Sequence, residues 1–123
     1  MNTKVYITGP LRGLNKSATK KNRHNLSLAC RKVLLTENTL ICPMLQSEDW
    51  DLDPRLPNSD DWWAKNYFVE FMKDCEEFVY VPEPIGMKSH IVEMEKDLWR
   101  TIGTGEFISS DVVIKTLLSK GGE

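Results

Sequence analysis

The stretch Lys4-Val5-Tyr6-Ile7-Thr8-Gly9-Pro10-Leu11-Arg12-Gly13 decides the fold of this chain. Val5 and Ile7 alternate with residues that favour strands, so a buried or half-buried β-strand is predicted here. Gly9 and Gly13 then punctuate a tight loop. A strand that leads into such a loop before a helix is typical of the ligand-binding corner of an open α/β sheet. An ordinary strand followed by a surface turn is the alternative that the stretch leaves open.

The rest of the chain alternates helical and strand-like patterns. This βαβ, αβ, αβ, α order predicts an α/β fold with a parallel sheet and helices on both faces. After the first strand, the sequence predicts a helix capped by Ser17 that runs to about Glu37 and a strand at 39–42. A second helix is opened by 59–61 and has an apolar face made by Tyr67, Phe68, Phe71, Met72 and Cys75, and a strand at 77–82 follows it. The last expected elements are a helix from Ser89 to about Ile102, a strand at 106–108 and a helix from Ser110 to near Lys120.

Length and composition predict one domain that spans residues 1–123 of a globular protein, because 123 residues leave no room for two ordinary cores. The net charge of −2 argues against a duplex nucleic-acid partner. No apolar run approaches the length of a membrane span, and residues 1–4 lead directly into a strand without the pattern of a signal peptide. Cys30, Cys42 and Cys75 are expected to be buried free thiols in a reducing compartment, without metal-ligand spacing. The predicted location is therefore cytoplasmic.

A long irregular segment is predicted at 44–61, rich in acids and containing Pro54 and Pro57. Trp50 lies inside the segment, and Trp62 and Trp63 close it. Loops of this length in small domains are usually functional or mobile. The tryptophans are interpreted either as core residues or as a lid that stacks on a flat ligand.

Two further residues are candidates for the ligand corner. Ser89 is placed at the start of a helix, where free N–H groups and the helix dipole attract an anion, and Arg12 offers a planar fork of donors nearby. Glu95 follows six residues later on the side of the helix that carries Val92 and Trp99. A carboxylate among core-facing positions indicates a functional group, whereas a charged, solvent-exposed run is the competing interpretation.

Together these features resemble the nucleoside 2-deoxyribosyltransferase-like superfamily. The resemblance rests on residues 5–13, on Cys75-Glu76 before a strand, and on Ser89 with Glu95 six residues later, and it covers roughly residues 4–108. The superfamily includes nucleoside deoxyribosyltransferases, 2′-deoxynucleoside 5′-monophosphate N-glycosidases and many small uncharacterised proteins, often from phages. The resemblance implies a flavodoxin-like three-layer sandwich with a four- to five-stranded parallel sheet. It also implies homodimers or larger homo-oligomers in which a neighbouring subunit completes the site.

The resemblance also assigns roles to individual residues. Glu95 matches the nucleophile that attacks the anomeric carbon of the sugar, and Tyr6 matches the tyrosine that positions it. An oxocarbenium-like transition state suits a carboxylate, which needs neither metal nor other cofactor. Ser89 matches the position where monophosphate hydrolases carry serine, which favours a nucleotide as the small-molecule partner. The loop residues that match the substrate-binding loop are Gly9, Pro10, Arg12 and Gly13.

The chain departs from the family pattern in ways that keep other functions open. The second carboxylate of the family falls at Phe68, so that Glu70 or Asp74 is expected to act as the general acid if there is one. Ile91 and Val92 replace a pair of small residues. The first alternative to an N-glycosidase or deoxyribosyltransferase is therefore a catalytically inactive module that sequesters a nucleotide. The second is an interaction protein whose tryptophan-rich loop docks a partner chain.

Overall fold

The protein is built around a four-stranded, all-parallel sheet in the order β2-β1-β3-β4. The computed structural model describes residues 3–13, 15–47, 53–57, 59–84, 89–102 and 106–121. The strands are β1 (Lys4–Thr8), β2 (Thr39–Ile41), β3 (Glu77–Tyr80) and β4 (Phe107–Ser109). This order corresponds to the first four strands of the flavodoxin-like arrangement 2-1-3-4-5. The predicted α/β fold is confirmed, with four strands in the part of the chain that the structure describes.

Helices connect the strands and cover both faces of the sheet. They are α1 (Lys16–Leu35), α2 (Pro43–Gln46), α3 (Asp60–Trp63), α4 (Val69–Met72), α5 (His90–Thr101) and α6 (Val113–Gly121), and a π-helical turn (Ala64–Phe68) joins α3 to α4. Helices α1 and α6 pack together, while α5 packs against α3, α4 and the π-helical turn. The two groups of helices form the outer layers of a three-layer fold.

The period-2 alternation of β1 sends its side chains to opposite layers. Tyr6 stacks on Phe78 of β3 with ring centroids 5.4 Å apart, and Phe78 lies 5.3 Å from Trp99 of α5. Tyr6 and its i+2 neighbour Thr8 therefore face α5, and both are completely buried. The hydroxyl groups of Tyr6 and Thr8 on the central strand β1 therefore point toward α5 at the carboxyl end of the sheet.

Several predicted element boundaries shift in the structure. Asn15, not Ser17, caps α1, because its side chain accepts a hydrogen bond from the Ala18 N–H at 2.8 Å. Near the end of this helix, Leu34 is 55% exposed. The short helix α2 begins at Pro43, a residue that suits the first helical position, and extends into a region predicted to be irregular. The predicted cap of α5 at Ser89 is confirmed.

The tryptophan-rich segment divides between the core and the surface. Trp63 is buried and donates a hydrogen bond from its indole N–H to the Pro57 carbonyl oxygen at 2.8 Å, whereas Trp62 is 40% exposed. Trp50 lies outside the described residues. The core interpretation therefore holds for Trp63. None of the helices in the described ranges has the length and apolar character needed to cross a membrane.

Candidate functional site

The candidate site is centred on the carboxyl group of Glu95, which is completely buried. One of its oxygens, Oε2, accepts a hydrogen bond from the Tyr6 hydroxyl. The other oxygen, Oε1, accepts a hydrogen bond of 2.7 Å from the Thr8 hydroxyl. Two hydroxyl donors on one strand therefore fix both oxygens of a single carboxyl group.

Strand and helix periodicity together produce this arrangement. Residues i and i+2 of a strand share a face, so Tyr6 and Thr8 present their hydroxyls side by side. On α5, Val92 and Trp99 lie three residues before and four residues after Glu95, and all three positions are fully buried. Glu95 thus occupies a core position of α5 opposite the carboxyl end of β1, as the sequence predicted.

Burial is the main cause of the unusual protonation of this group. It raises the pKa of Glu95 to about 8 from its ordinary value of 4.5, although the hydrogen bonds from Tyr6 and Thr8 oppose the rise. The negative charge of Asp60 raises this pKa further. Burial and the neighbouring Glu95 also hold the pKa of Tyr6 well above its usual value of 10, so the phenol keeps its proton and remains a donor. At neutral pH the carboxyl is mostly protonated, and a nearby positive charge would favour its ionisation.

The first predicted ligand loop continues directly from Thr8. Gly9 is buried, and a β-carbon at this position would lie 2.7 Å from the Cβ of Val81. At Gly13 a β-carbon would lie 2.3 Å from the Cβ of Ala18. Both glycines are therefore required by close packing of the loop against its neighbours. Pro10, which lies between the two glycines in sequence, is buried, whereas Arg12 is exposed at the surface.

The start of α5 is occupied by a carboxylate of the protein itself. The Ser89 N–H donates to Oε2 of Glu83 at 2.5 Å, and the Ser89 hydroxyl accepts a longer hydrogen bond of 3.4 Å from the Val92 N–H. Partial burial raises the pKa of Glu83, as does its hydrogen bond to Glu93, whereas the Ser89 N–H lowers it. The predicted anion-binding corner therefore already contains an acidic side chain.

The residues expected to supply a general acid lie at the surface. Glu70 is exposed and forms an ion pair of 2.9 Å with Lys73, and Asp74 is also exposed. Phe68 is buried, with its ring centroid 6.2 Å from that of Trp63. Asp60, in the first turn of α3, is the acidic residue whose charge raises the pKa of Glu95. Asp60 is itself exposed, but its charge acts on Glu95, which makes it a better candidate than Glu70 or Asp74 for a second carboxylate.

Three residues of this site were not identified from the sequence. Thr8 could have been found, because it lies two positions after Tyr6 on the same strand face. Asp60 lies in the stretch 59–61 that was expected only to open a helix, and Glu83 was not among the candidate residues. Their proximity to Glu95 and Ser89 depends on tertiary packing, which local patterns do not report. Across the described ranges, no three His, Cys, Asp or Glu side chains cluster as a metal site would require.

Comparisons with known proteins identify no relative of this chain. No protein-family model matches it, and neither a curated protein nor a solved structure does. The geometry around Glu95 is therefore the basis for a functional assignment.

Proposed function

We propose that this protein cleaves the bond between base and sugar in a nucleoside or nucleoside 5′-monophosphate, as an N-glycosidase or deoxyribosyltransferase, with Glu95 as the nucleophile. The observation that carries the proposal is the attachment of both Glu95 oxygens to hydroxyl donors at the carboxyl end of β1. Ligands of open α/β sheets bind outside this end of the strands. A fixed carboxylate there suits a reaction whose transition state carries positive charge on the sugar.

In the proposed mechanism, Glu95 attacks the anomeric carbon while the bond to the base breaks. The resulting glycosyl ester is then cleaved by water in a hydrolase, or by a second base in a transferase. The hydroxyls of Tyr6 and Thr8 hold the carboxylate in a single orientation throughout. The developing positive charge of the sugar would stabilise the ionised form of Glu95, whose pKa is about 8 in the free protein. No metal or other cofactor takes part in these steps.

The departing base would take a proton from a second carboxyl group. Asp60 is our candidate, because its charge acts on Glu95 and because it lies on α3, which packs against α5. In this role the Asp60→Asn variant would lose base release mainly with substrates whose leaving base is poor. General acid catalysis typically contributes about 10²–10⁴-fold to a rate.

Access to the nucleophile requires a rearrangement, because Glu95 has no exposed surface. The proposal therefore includes an opening of the structure around the carboxyl ends of β1 and β3 when substrate binds. Gly9, Pro10, Arg12, Gly13 and Ser89 are the proposed substrate-binding residues at this edge. The proposal also includes a homodimer or larger assembly, which light scattering on the purified protein would measure.

The test is base release from a panel of nucleosides and their 5′-monophosphates, followed by chromatography. We expect free base with the wild type and a loss of about three orders of magnitude or more in Glu95→Gln, with substrate binding retained, because the lost charge acts mainly in the transition state. Asp97→Asn is a matched control, since Asp97 lies on the same helix but is exposed and paired with Arg100. Base release that survives in Glu95→Gln would contradict the assignment of the nucleophile.

A binding module that sequesters a nucleotide is the second candidate. It is favoured by the buried aromatic ring of Phe68 at the position where the family carries a carboxylate. In that case calorimetry would show nucleotide binding while the wild type releases no base from any compound in the panel. The Glu95→Gln variant would then differ from the wild type in affinity alone.

A further inference from the structure

A cavity of about 230 Å³ lies between α1 and the segments that follow β3 and β4. Val81 and Ser110, which come directly after these two strands, line one side of it, and Asn25 and Lys32 of α1 line the other. Ligands of open α/β sheets bind outside the carboxyl ends of the strands. The cavity therefore lies at the edge of the sheet where a small molecule is expected to bind.

The cavity is on the opposite side of the sheet from Glu95. Tyr80 faces α5, because Nζ of Lys96 lies 4.2 Å from the centroid of its ring. Val81 continues the ladder of β3, since its N–H donates to the Thr8 carbonyl oxygen at 2.9 Å. Successive residues of a strand point to opposite faces, so Val81 faces the layer of α1. The cavity is therefore separate from the candidate site around Glu95.

The polar part of the lining carries one positive and one negative charge. Nζ of Lys32 donates to the Ser110 carbonyl oxygen at 3.3 Å, which holds the ammonium group at the cavity and takes one of its three donors. Asp111 follows directly, is exposed, and donates its N–H to the Ser109 hydroxyl at 3.2 Å. Asn25 adds a side-chain amide two turns before Lys32. A ligand with both a carboxylate and an ammonium group would find a partner for each charge.

The rest of the lining is apolar and consists of Leu28, Ala29, Val81 and Pro82. Leu28 is 39% exposed, so apolar surface remains that a ligand could remove from water. An engineered cavity of about 150 Å³ in another protein holds benzene. At about 230 Å³, this cavity has room for an apolar group of that size together with a short polar part.

We propose that this cavity binds a free α-amino acid with an apolar or aromatic side chain. The carboxylate of the ligand pairs with Lys32, its ammonium group pairs with Asp111, and its side chain covers Leu28 and Val81. A simple carboxylic acid places an anion beside Asp111, and a simple amine places a cation beside Lys32, whereas a zwitterion complements both charges. The proposal does not depend on the reaction proposed for Glu95, because binding is measured directly.

The experiment titrates the ¹⁵N-labelled protein with L-phenylalanine and follows the amide chemical shifts. We expect saturable shifts at 25–32 and 110–111, with the micromolar to millimolar affinity usual for a ligand of about a dozen non-hydrogen atoms. 3-Phenylpropanoate lacks the amino group and 2-phenylethylamine lacks the carboxylate, so each should bind about tenfold more weakly or worse. No saturable shift, shifts confined to the surroundings of Glu95, or equal binding of either analogue would overturn the proposal.

Variants of the two charged residues test their separate roles. Lys32→Gln and Asp111→Asn should each weaken the binding of L-phenylalanine by about tenfold or more. The matched controls are Arg31→Gln and Asp97→Asn, which remove exposed charges outside the cavity and should bind like the wild type. Lys32→Gln should also lose the preference for L-phenylalanine over 2-phenylethylamine, which a general loss of structure would not explain.

Unchanged affinity in either cavity variant would overturn the proposal. Circular dichroism of each variant would establish that it is folded. The comparison of the three ligands on the wild type decides the question even if a variant does not fold.

Discussion

The protonation of Glu95 predicts how the stability of the protein changes with pH. The carboxyl group is completely buried, and its pKa is about 8 in the folded protein, compared with an ordinary value of 4.5. The folded protein therefore binds more protons than the unfolded chain between these two values. The contribution of protonated Glu95 to the free energy of unfolding is fully present below pH 4.5 and is lost as the pH rises through 8.

The size of the effect follows from the two pKa values. Each pKa unit corresponds to about 1.36 kcal/mol, so ionised Glu95 lowers the free energy of unfolding by about 5 kcal/mol in total. Roughly half of this loss, about 2–3 kcal/mol, falls between pH 6 and pH 9. Glu95→Gln keeps the shape of the side chain and removes the ionisation. Between pH 6 and pH 9, the free energy of unfolding of Glu95→Gln relative to that of the wild type should therefore increase by the amount that the wild type loses.

Urea unfolding followed by tryptophan fluorescence measures the difference at a series of pH values. All other titratable groups are present in both proteins and cancel in the comparison. Asp97→Asn should follow the wild type, because Asp97 is exposed. If the difference between wild type and Glu95→Gln stayed constant within about 0.5 kcal/mol from pH 6 to pH 9, Glu95 would titrate normally and the reasoning would be refuted.

Three further predictions concern the neighbours of this group. Tyr6→Phe removes one donor to the Glu95 carboxylate, so base release should fall by about 10- to 100-fold, as measured by chromatography, and a smaller loss would exclude a positioning role. Gly9→Ala should lower the free energy of unfolding by about 1–3 kcal/mol, because the new methyl group would lie 2.7 Å from the Cβ of Val81. In a Val81→Gly background, which removes both Val81 atoms next to the new methyl group, the same change should cost less in urea unfolding, and an unchanged cost would contradict the steric cause. Glu83→Gln removes a negative charge from the start of α5, so calorimetry should show tighter binding of a nucleoside monophosphate and unchanged binding of the nucleoside; equal changes for both would exclude phosphate contact there.

The sequence predicted those parts of the fold that depend on periodicity over several residues. The alternation of 4–8 gave β1, and the spacing of Val92, Glu95 and Trp99 gave a helix with a buried carboxyl group. These patterns follow from backbone geometry and need no knowledge of distant neighbours. The exact ends of the elements were not predictable in this way, because the start of α1 depends on an individual hydrogen bond made by the Asn15 side chain.

Contacts between distant segments were not predictable in the same way. The hydrogen bond from the Ser89 N–H to Glu83 depends on the course of the loop between them. The effect of Asp60 on Glu95 depends on the packing of α3 against α5. Each of these interactions joins segments of the chain whose relative position is set by the packing of the whole core. The burial of Glu95 in the core face of α5 was therefore predictable from the sequence, whereas the contacts around it came from the structure.

The hydrogen-bond partners of Glu95 bear on whether this group serves the fold or a reaction. Burying a carboxyl group costs free energy. A glutamine would satisfy the same two hydroxyls without a group that ionises near pH 8, so packing alone does not account for Glu95. Both hydroxyls donate to Glu95, so the arrangement is suited to the anion although burial favours the neutral acid. A positively charged sugar in the transition state would supply the missing counter-charge and leave both donors in place. Base release should then increase with pH through about 8, whereas a protonated Glu95 that acts as an acid would give the opposite slope.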